Sequence, residues 1–157
     1  MTDTLHVRAG RADDAEIITD FNARMALETE GLTLDPDTLS RGVRAALADP
    51  KKARYFIAET AGRVVGQLMI TLEWSDWRNG DIWWIQSVFV DPSARGRGAF
   101  KALYRHVAEE ARVAGAVGLR LYVEKENSAA QQTYARLGMA MTHYLVMEEM
   151  FERRANH

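Results

Sequence analysis

The sequence predicts a single mixed α/β domain over residues 1–157, and three observations predict it. Segments with the two-residue period of strands alternate with segments of helical period. The 157 residues, 47% of them hydrophobic, suffice for one core. No linker, internal repeat or low-complexity tract divides them.

Thr4 to Ala9 alternate like a short strand with one wet face, and Gly10 interrupts the run. Asp13, with Glu16 three residues on, has the spacing of a helix cap, and Ile17, Ile18, Phe21 and Met25 supply an apolar face up to about Glu28. Asp35-Pro36 joins a cap residue to proline at the first helical position, opening a second helix that ends near Asp49-Pro50. Tyr55 to Ala58 and Val64 to Leu72 read as an antiparallel hairpin turning at Ala61-Gly62. The stretch from Ile82 to Val90 is nearly continuously apolar, as a central strand requires, and Asp91-Pro92 stops it. Phe100, Leu103, Tyr104, Val107, Ala108 and Ala111 then fall on one helical face, before Gly115. Leu119, Leu121 and Val123 mark another strand. A short helix runs from about Ser128 to Gly138, and Met139 to Met150 reads as a last strand.

Composition excludes several functions. The 20 basic and 22 acidic residues nearly cancel to a formal charge of -2, so the whole-molecule field suits neither nucleic acid nor an anionic membrane. With no cysteine there is no disulfide scaffold, thiolate zinc site or cysteine nucleophile. His6, His106, His143 and His157 lack metal-ligand spacing, so no metal is expected. Met1 is followed by Thr2, Asp3 and Thr4 rather than by a basic and then an apolar segment, and no apolar run reaches the roughly 20 residues that cross a bilayer. The expectation is a soluble, cytoplasmic protein.

Two segments carry chemistry. In the first, the strand residues Val88, Phe89 and Val90 empty through Asp91-Pro92-Ser93-Ala94 into Arg95-Gly96-Arg97-Gly98-Ala99-Phe100, a glycine loop that opens an amphipathic helix. Glycines admit an anion close to backbone N–H groups, the helix N-terminus adds about half a positive charge, and Arg95 and Arg97 add cationic donors. The plainer reading is a turn that merely joins strand to helix. Gly98 is followed by Ala99-Phe100-Lys101, so the nucleotide P-loop is not met, and the third glycine of the dinucleotide fingerprint is missing.

In the second segment, Asn127 stands at the cap of a helix carrying Ala130 and Tyr134 at helical intervals, closed by Gly138. A phenol with pKa near 10 can protonate a departing thiolate, which makes Tyr134 a candidate general acid. Its alternative is a packed residue with a satisfied hydroxyl.

These two segments, in this order and about 30 residues apart, resemble the coenzyme A-binding motifs of the GNAT superfamily of acetyltransferases, and the resemblance extends over the whole chain. It implies a central, mostly antiparallel mixed sheet flanked by helices, with the fourth and fifth strands splayed to admit the pantetheine of acetyl-coenzyme A. It implies backbone contacts from Val88 and Val90 to that arm and a pyrophosphate cradle from Arg95 through Phe100. It further implies a cofactor contact at Asn127, with Tyr134 at the thioester sulfur. Phe100 departs from the family loop, which has a small residue there.

The family resemblance implies direct attack by a primary amine of a small molecule or peptide. An amine of pKa near 10 must first lose a proton. Many relatives supply a glutamate near the fourth strand, but Trp84-Ile85-Gln86-Ser87 offers no carboxylate here, and Gln86 and Ser87 can only orient water or substrate. Glu73 at the end of the preceding strand is the first candidate base, and Glu28 and Glu30 follow as acceptor-side carboxylates. Each is otherwise a solvated surface group. All four tryptophans cluster between Trp74 and Trp84, where Trp74 and Trp77 beside carboxylates would suit a cationic amine. Trp83 and Trp84 point to opposite strand faces, so at least one packs the core. Two other classes stay open: a non-catalytic acyl-coenzyme A sensor, and a scaffold, such as a homodimer, joined through the tryptophan-rich stretch.

Overall fold

A computed structural model describes residues 4–151. Its contacts separate a unit reaching to Tyr122 from a second unit that begins at Val123.

In the first unit five strands lie in sequence order: β1 (His6–Ala9), β2 (Arg54–Thr60), β3 (Arg63–Ser75), β4 (Gly80–Val90) and β5 (Gly118–Leu121). The first four pair antiparallel and β4 pairs parallel with β5, so the sheet is mixed and mostly antiparallel. Three helices accompany it: α1 (Ala15–Glu30), α2 (Pro36–Ala48) and α3 (Ala99–Val113). Local chemistry sets their ends. Asp35 accepts the Thr38 N–H at 2.9 Å ahead of Pro36, and Ala61 and Gly62 turn the β2–β3 hairpin with φ of 51° and 73°, the left-handed pair such a two-residue turn requires.

α1 begins differently from its expected cap at Asp13. A 3₁₀ turn over Ala12–Asp14 precedes the helix, because the Asp14 carboxylate takes the Arg11 N–H at 2.6 Å and both guanidinium arms of Arg8 at 2.9 Å. A carboxylate drawn to a guanidinium on β1 closes a turn rather than capping a helix.

Strand alternation places two cores on the sheet. Tyr55 and Ile57 meet Ala15 and Ile18 of α1 and Val43 and Ala46 of α2, with Met69 against the same cluster. Phe56, Leu68, Ile70, Trp83 and Ile85 are buried on the opposite face, where the Phe56 ring meets His106 of α3 edge-on at 5.6 Å. Leu103 and Val107 of α3 are fully buried.

One irregularity governs β4. Met69 pairs with Ser87 and Ile70 with Ile85, leaving Gln86 as an extra, bulged residue. Thr71, opposite Trp84, and Met69, opposite Ser87, share a face of β3, so the bulge brings Trp84 and Ser87, three residues apart, to the same side. The β4–β5 pairing covers only Ile82 to Ile85, and residues 86–90 run on without that neighbour. This is the parting of fourth and fifth strands that the resemblance implies.

The second unit holds α4 (Ser128–Arg136), capped by Asn127, whose Oδ1 accepts the Ala130 N–H at 3.0 Å. The strand expected over residues 139–150 is not formed: residues 139–151 have no strand partner among the described residues, and Leu145 and Met147 are 94% and 96% exposed. β-propensity becomes a strand only where a neighbour takes the backbone hydrogen bonds.

Leu103→Ala should lower the unfolding free energy by about 2–5 kcal/mol, the range for emptying a tightly packed core site, read as a lower denaturant midpoint at unchanged slope.

Candidate functional site

β4 is followed by Asp91, whose Oδ1 accepts from the Ser93 N–H at 3.0 Å and the Ser93 hydroxyl at 2.8 Å, fixing the 3₁₀ turn Pro92–Ala94. The chain then passes Gly96 and Gly98 at φ of 79° and 86°, backbone that a side chain rarely adopts, and a Cβ at either glycine would meet nothing within 4 Å. Gly98 caps α3 without a side chain to take the first-turn N–H groups. An open glycine turn at a helix N-terminus suits an anion such as a pyrophosphate. Arg97 is exposed there and makes no ion pair among the described residues.

Arg95 is differently used. Its two terminal nitrogens donate to Glu28 at 2.7 and 2.9 Å, its Nε donates to the Val90 carbonyl at 2.9 Å, and the guanidinium stacks 5.5 Å from the Phe89 ring centre. Glu28, expected beside the acceptor, therefore binds the loop. Hydrogen bonds from Arg95 hold its carboxyl below the ordinary 4.5. Asp91 is lowered too, chiefly by the Ser93 N–H and hydroxyl, with Arg24 adding at 3.3 Å. Phe100 is half-buried with its ring 6.3 Å from Tyr104, one turn along the same helix.

A second cluster spans β3, β4 and β5. The Trp84 indole N–H donates to Glu73 at 2.5 Å, Arg120 pairs with the same carboxylate at 3.1 Å, and Trp84 packs against Tyr122 at 4.6 Å. Gln86 donates to the Thr71 hydroxyl at 2.9 Å on this face. Trp83 points the other way, 3% exposed, with the Arg54 guanidinium 5.2 Å from its ring centre. Trp74 and Trp77 are 61% and 90% exposed near the β3–β4 tip, and Glu30 is exposed at the end of α1. The side chains of Gln67, fully buried, and Ser87 lie on the Met69 face without a hydrogen-bond partner among the described residues. Buried polar atoms of that kind call for a polar neighbour. Sequence reasoning missed Arg120 and Gln67, whose meaning depends on strand register rather than on local pattern.

In the second unit, Tyr134 lies half-buried on α4, and desolvation raises its phenol above 10, so it carries its proton at neutral pH. Among the described residues no cluster of His, Asp or Glu could hold a metal, and no helix is long and apolar enough to cross a membrane; His157 lies outside them.

A mixed sheet whose fourth strand outruns its pairing with the fifth and empties into a glycine turn and a helix N-terminus defines an α/β domain with backbone suited to an anion. Residues 20–139 match the family model described as acetyltransferase (GNAT) family. A possible acetyltransferase from Clostridium difficile 630, known from its crystal structure, is 43% identical with a TM-score of 0.89, covering 95% of this chain and 99% of that one. A mycothiol acetyltransferase of Gordonia bronchialis is 32% identical over 134 residues, 85% of this chain and 42% of that protein. The chain spans less than half the length of that relative. An aminoglycoside N-acetyltransferase crystallised with CoA, 19% identical over 96% of this chain and 97% of that one, has the same fold at a TM-score of 0.79. The chain belongs to the GNAT acetyltransferase family.

Because the folded Glu28 carboxyl lies below its ordinary value, its pairing contributes stability above about pH 4.5 that is lost as pH falls through the lowered value. The gap in urea stability between the wild type and Glu28→Gln should thus hold steady near neutrality and close on acidification; a gap independent of pH would deny the pairing a role in stability.

Proposed function

We propose that this chain is an N-acetyltransferase that moves the acetyl group of acetyl-coenzyme A to a primary amine of a small molecule or peptide. The observation that carries the reading is the open glycine loop at the end of β4, in a chain of the GNAT family. In this reading residues 1–157 act as one catalytic domain. Backbone groups of Val88, Phe89 and Val90 hold the pantetheine beside the strand parting. Amides from Arg95 through Phe100, with Gly96, Gly98 and Ala99 between, and the Arg97 side chain hold the pyrophosphate. Asn127 adds a cofactor contact.

The amine nitrogen attacks the thioester carbon, forming the C–N bond as the C–S bond breaks. The amine's proton leaves to Glu73 or to a water that Glu73 orients, and Tyr134 gives its proton to the departing sulfur. Raised above 10, the Tyr134 phenol has its proton available. Arg120 and Trp84 fix the Glu73 carboxylate in one orientation. Gln86, Ser87 and Gln67 line the same face and suit a relay water or a polar acceptor group. Glu30, Trp74 and Trp77 complete the acceptor side, whereas Glu28 is engaged by Arg95 of the loop.

The names of the relatives support small amine-bearing acceptors such as the one that mycothiol acetyltransferase is named for. The reading includes a cytoplasmic site of action, checked by fractionation. It also includes a homodimer, supported by exposed Trp77 and by the apolar side chains of residues 144–147. Light scattering that returns the mass of one chain at every concentration removes the dimer.

Thiol release from acetyl-coenzyme A should depend on an amine drawn from a library. Tyr134→Phe should lower kcat by about 100-fold or more while the Kd for coenzyme A holds. Turnover on no acceptor, despite tight coenzyme A binding, would favour a sensor. Glu73→Gln should lower kcat by about 100-fold or more while the Kd for coenzyme A holds; unchanged turnover assigns the proton to another group.

A further inference from the structure

Phe21, Arg24 and Glu28 lie at i, i+3 and i+7 on α1, hence on one helix face. Across from them stand Phe89, Asp91 and Arg95, from the end of β4 and the turn after it. The Phe21 and Phe89 rings meet at 5.0 Å, and the guanidiniums of Arg24 and Arg95 lie 5.2 and 5.5 Å from the Phe89 ring centre. The ion pairs cross: Arg24 of the helix binds Asp91 of the turn, and Arg95 of the turn binds Glu28 of the helix. A buried ring thus has two guanidiniums close to it, each held by a carboxylate of the opposite segment.

We propose that Arg24 and Glu28 are positioning residues for the phosphate loop: the C-terminal half of α1 clamps the loop in its anion-binding shape, with Arg95 engaged in the clamp and Arg97 left as the loop's cation for the anion. The proposal rests on the coenzyme reading above. Gly96 and Gly98 give the loop the backbone freedom that close approach to an anion needs, and the same freedom costs entropy when the anion binds. Between the Ser93 cap and the first turn of α3, Arg95 is the residue whose side chain ties the loop down, through all three of its guanidinium nitrogens. Fixing it before the anion arrives lowers the ordering cost of binding. The bidentate fork holds orientation as well as distance, so lysine at 95 would not replace it.

The test needs no acceptor. Amide hydrogen exchange without ligand and calorimetric titration with coenzyme A are measured on the wild type, Glu28→Gln, Glu28→Arg and the swap Glu28→Arg with Arg95→Glu. Glu28→Gln should speed exchange over residues 95–98 and raise the Kd for coenzyme A about threefold. Glu28→Arg should do more, and the swap should restore both readouts toward the wild type. Arg97→Gln should weaken coenzyme A binding without changing exchange. Unchanged exchange in Glu28→Gln overturns the clamp, and a swap that restores exchange but not affinity overturns the division of labour by giving the Arg95 charge to the anion. If the wild type fails to bind coenzyme A, the coenzyme reading falls while exchange still decides the clamp.

Discussion

β4 has two neighbours for part of its length and one for the rest, and the proposed binding site is placed at that change. Hydrogen bonds from β3 and β5 engage both edges as far as Ile85, after which, past the bulged Gln86, residues 87–90 keep only β3. Backbone groups on the released edge must find partners elsewhere, which is why a strand that loses a neighbour inside a sheet makes a place for a ligand. The glycine turn and the N-terminus of α3 begin at this same carboxyl end, the side on which α/β sheets commonly bind their ligands.

Charge refines what topology provides. A turn with two glycines in left-handed backbone would sample many shapes by itself, and long-range pairs from α1 narrow that range. The two clusters of the first unit share a logic: a carboxylate and a guanidinium pair across elements, and one of the two is held by a further group. In one, the Glu73 carboxylate accepts from Arg120 and from Trp84; in the other, the Arg95 guanidinium donates to Glu28 and to the Val90 carbonyl.

Features governed by neighbours in sequence were legible. Asp35-Pro36 announced α2, Ala61-Gly62 the hairpin, the apolar positions from Leu103 to Ala111 the buried face of α3, and the glycines at 96 and 98 the loop. What depended on partners far along the chain was not. Glu28 and Arg95 stand 67 positions apart, and Glu73 and Arg120 stand 47 apart, so neither pair has a local signal. Asp13 and Asp14 are alike as residues, and Arg8 on β1 decides that Asp14 closes the turn. The apolar run after Met139 has the composition of a strand, but composition supplies no partner.

The single extra residue at Gln86 has a bearing on how this strand can change over time. Before it, odd positions of β4 face α3; after it, even ones do, so the strand carries two inside-outside frames joined at one point. Loss of that residue would exchange the surroundings of Phe89 with those of Val88 and Val90, turning the ring away from Phe21 and the two guanidiniums. Substitutions on the Trp84 side and on the Phe89 side can therefore accumulate independently, whereas a one-residue deletion between them would rewrite the whole proposed cofactor end at once.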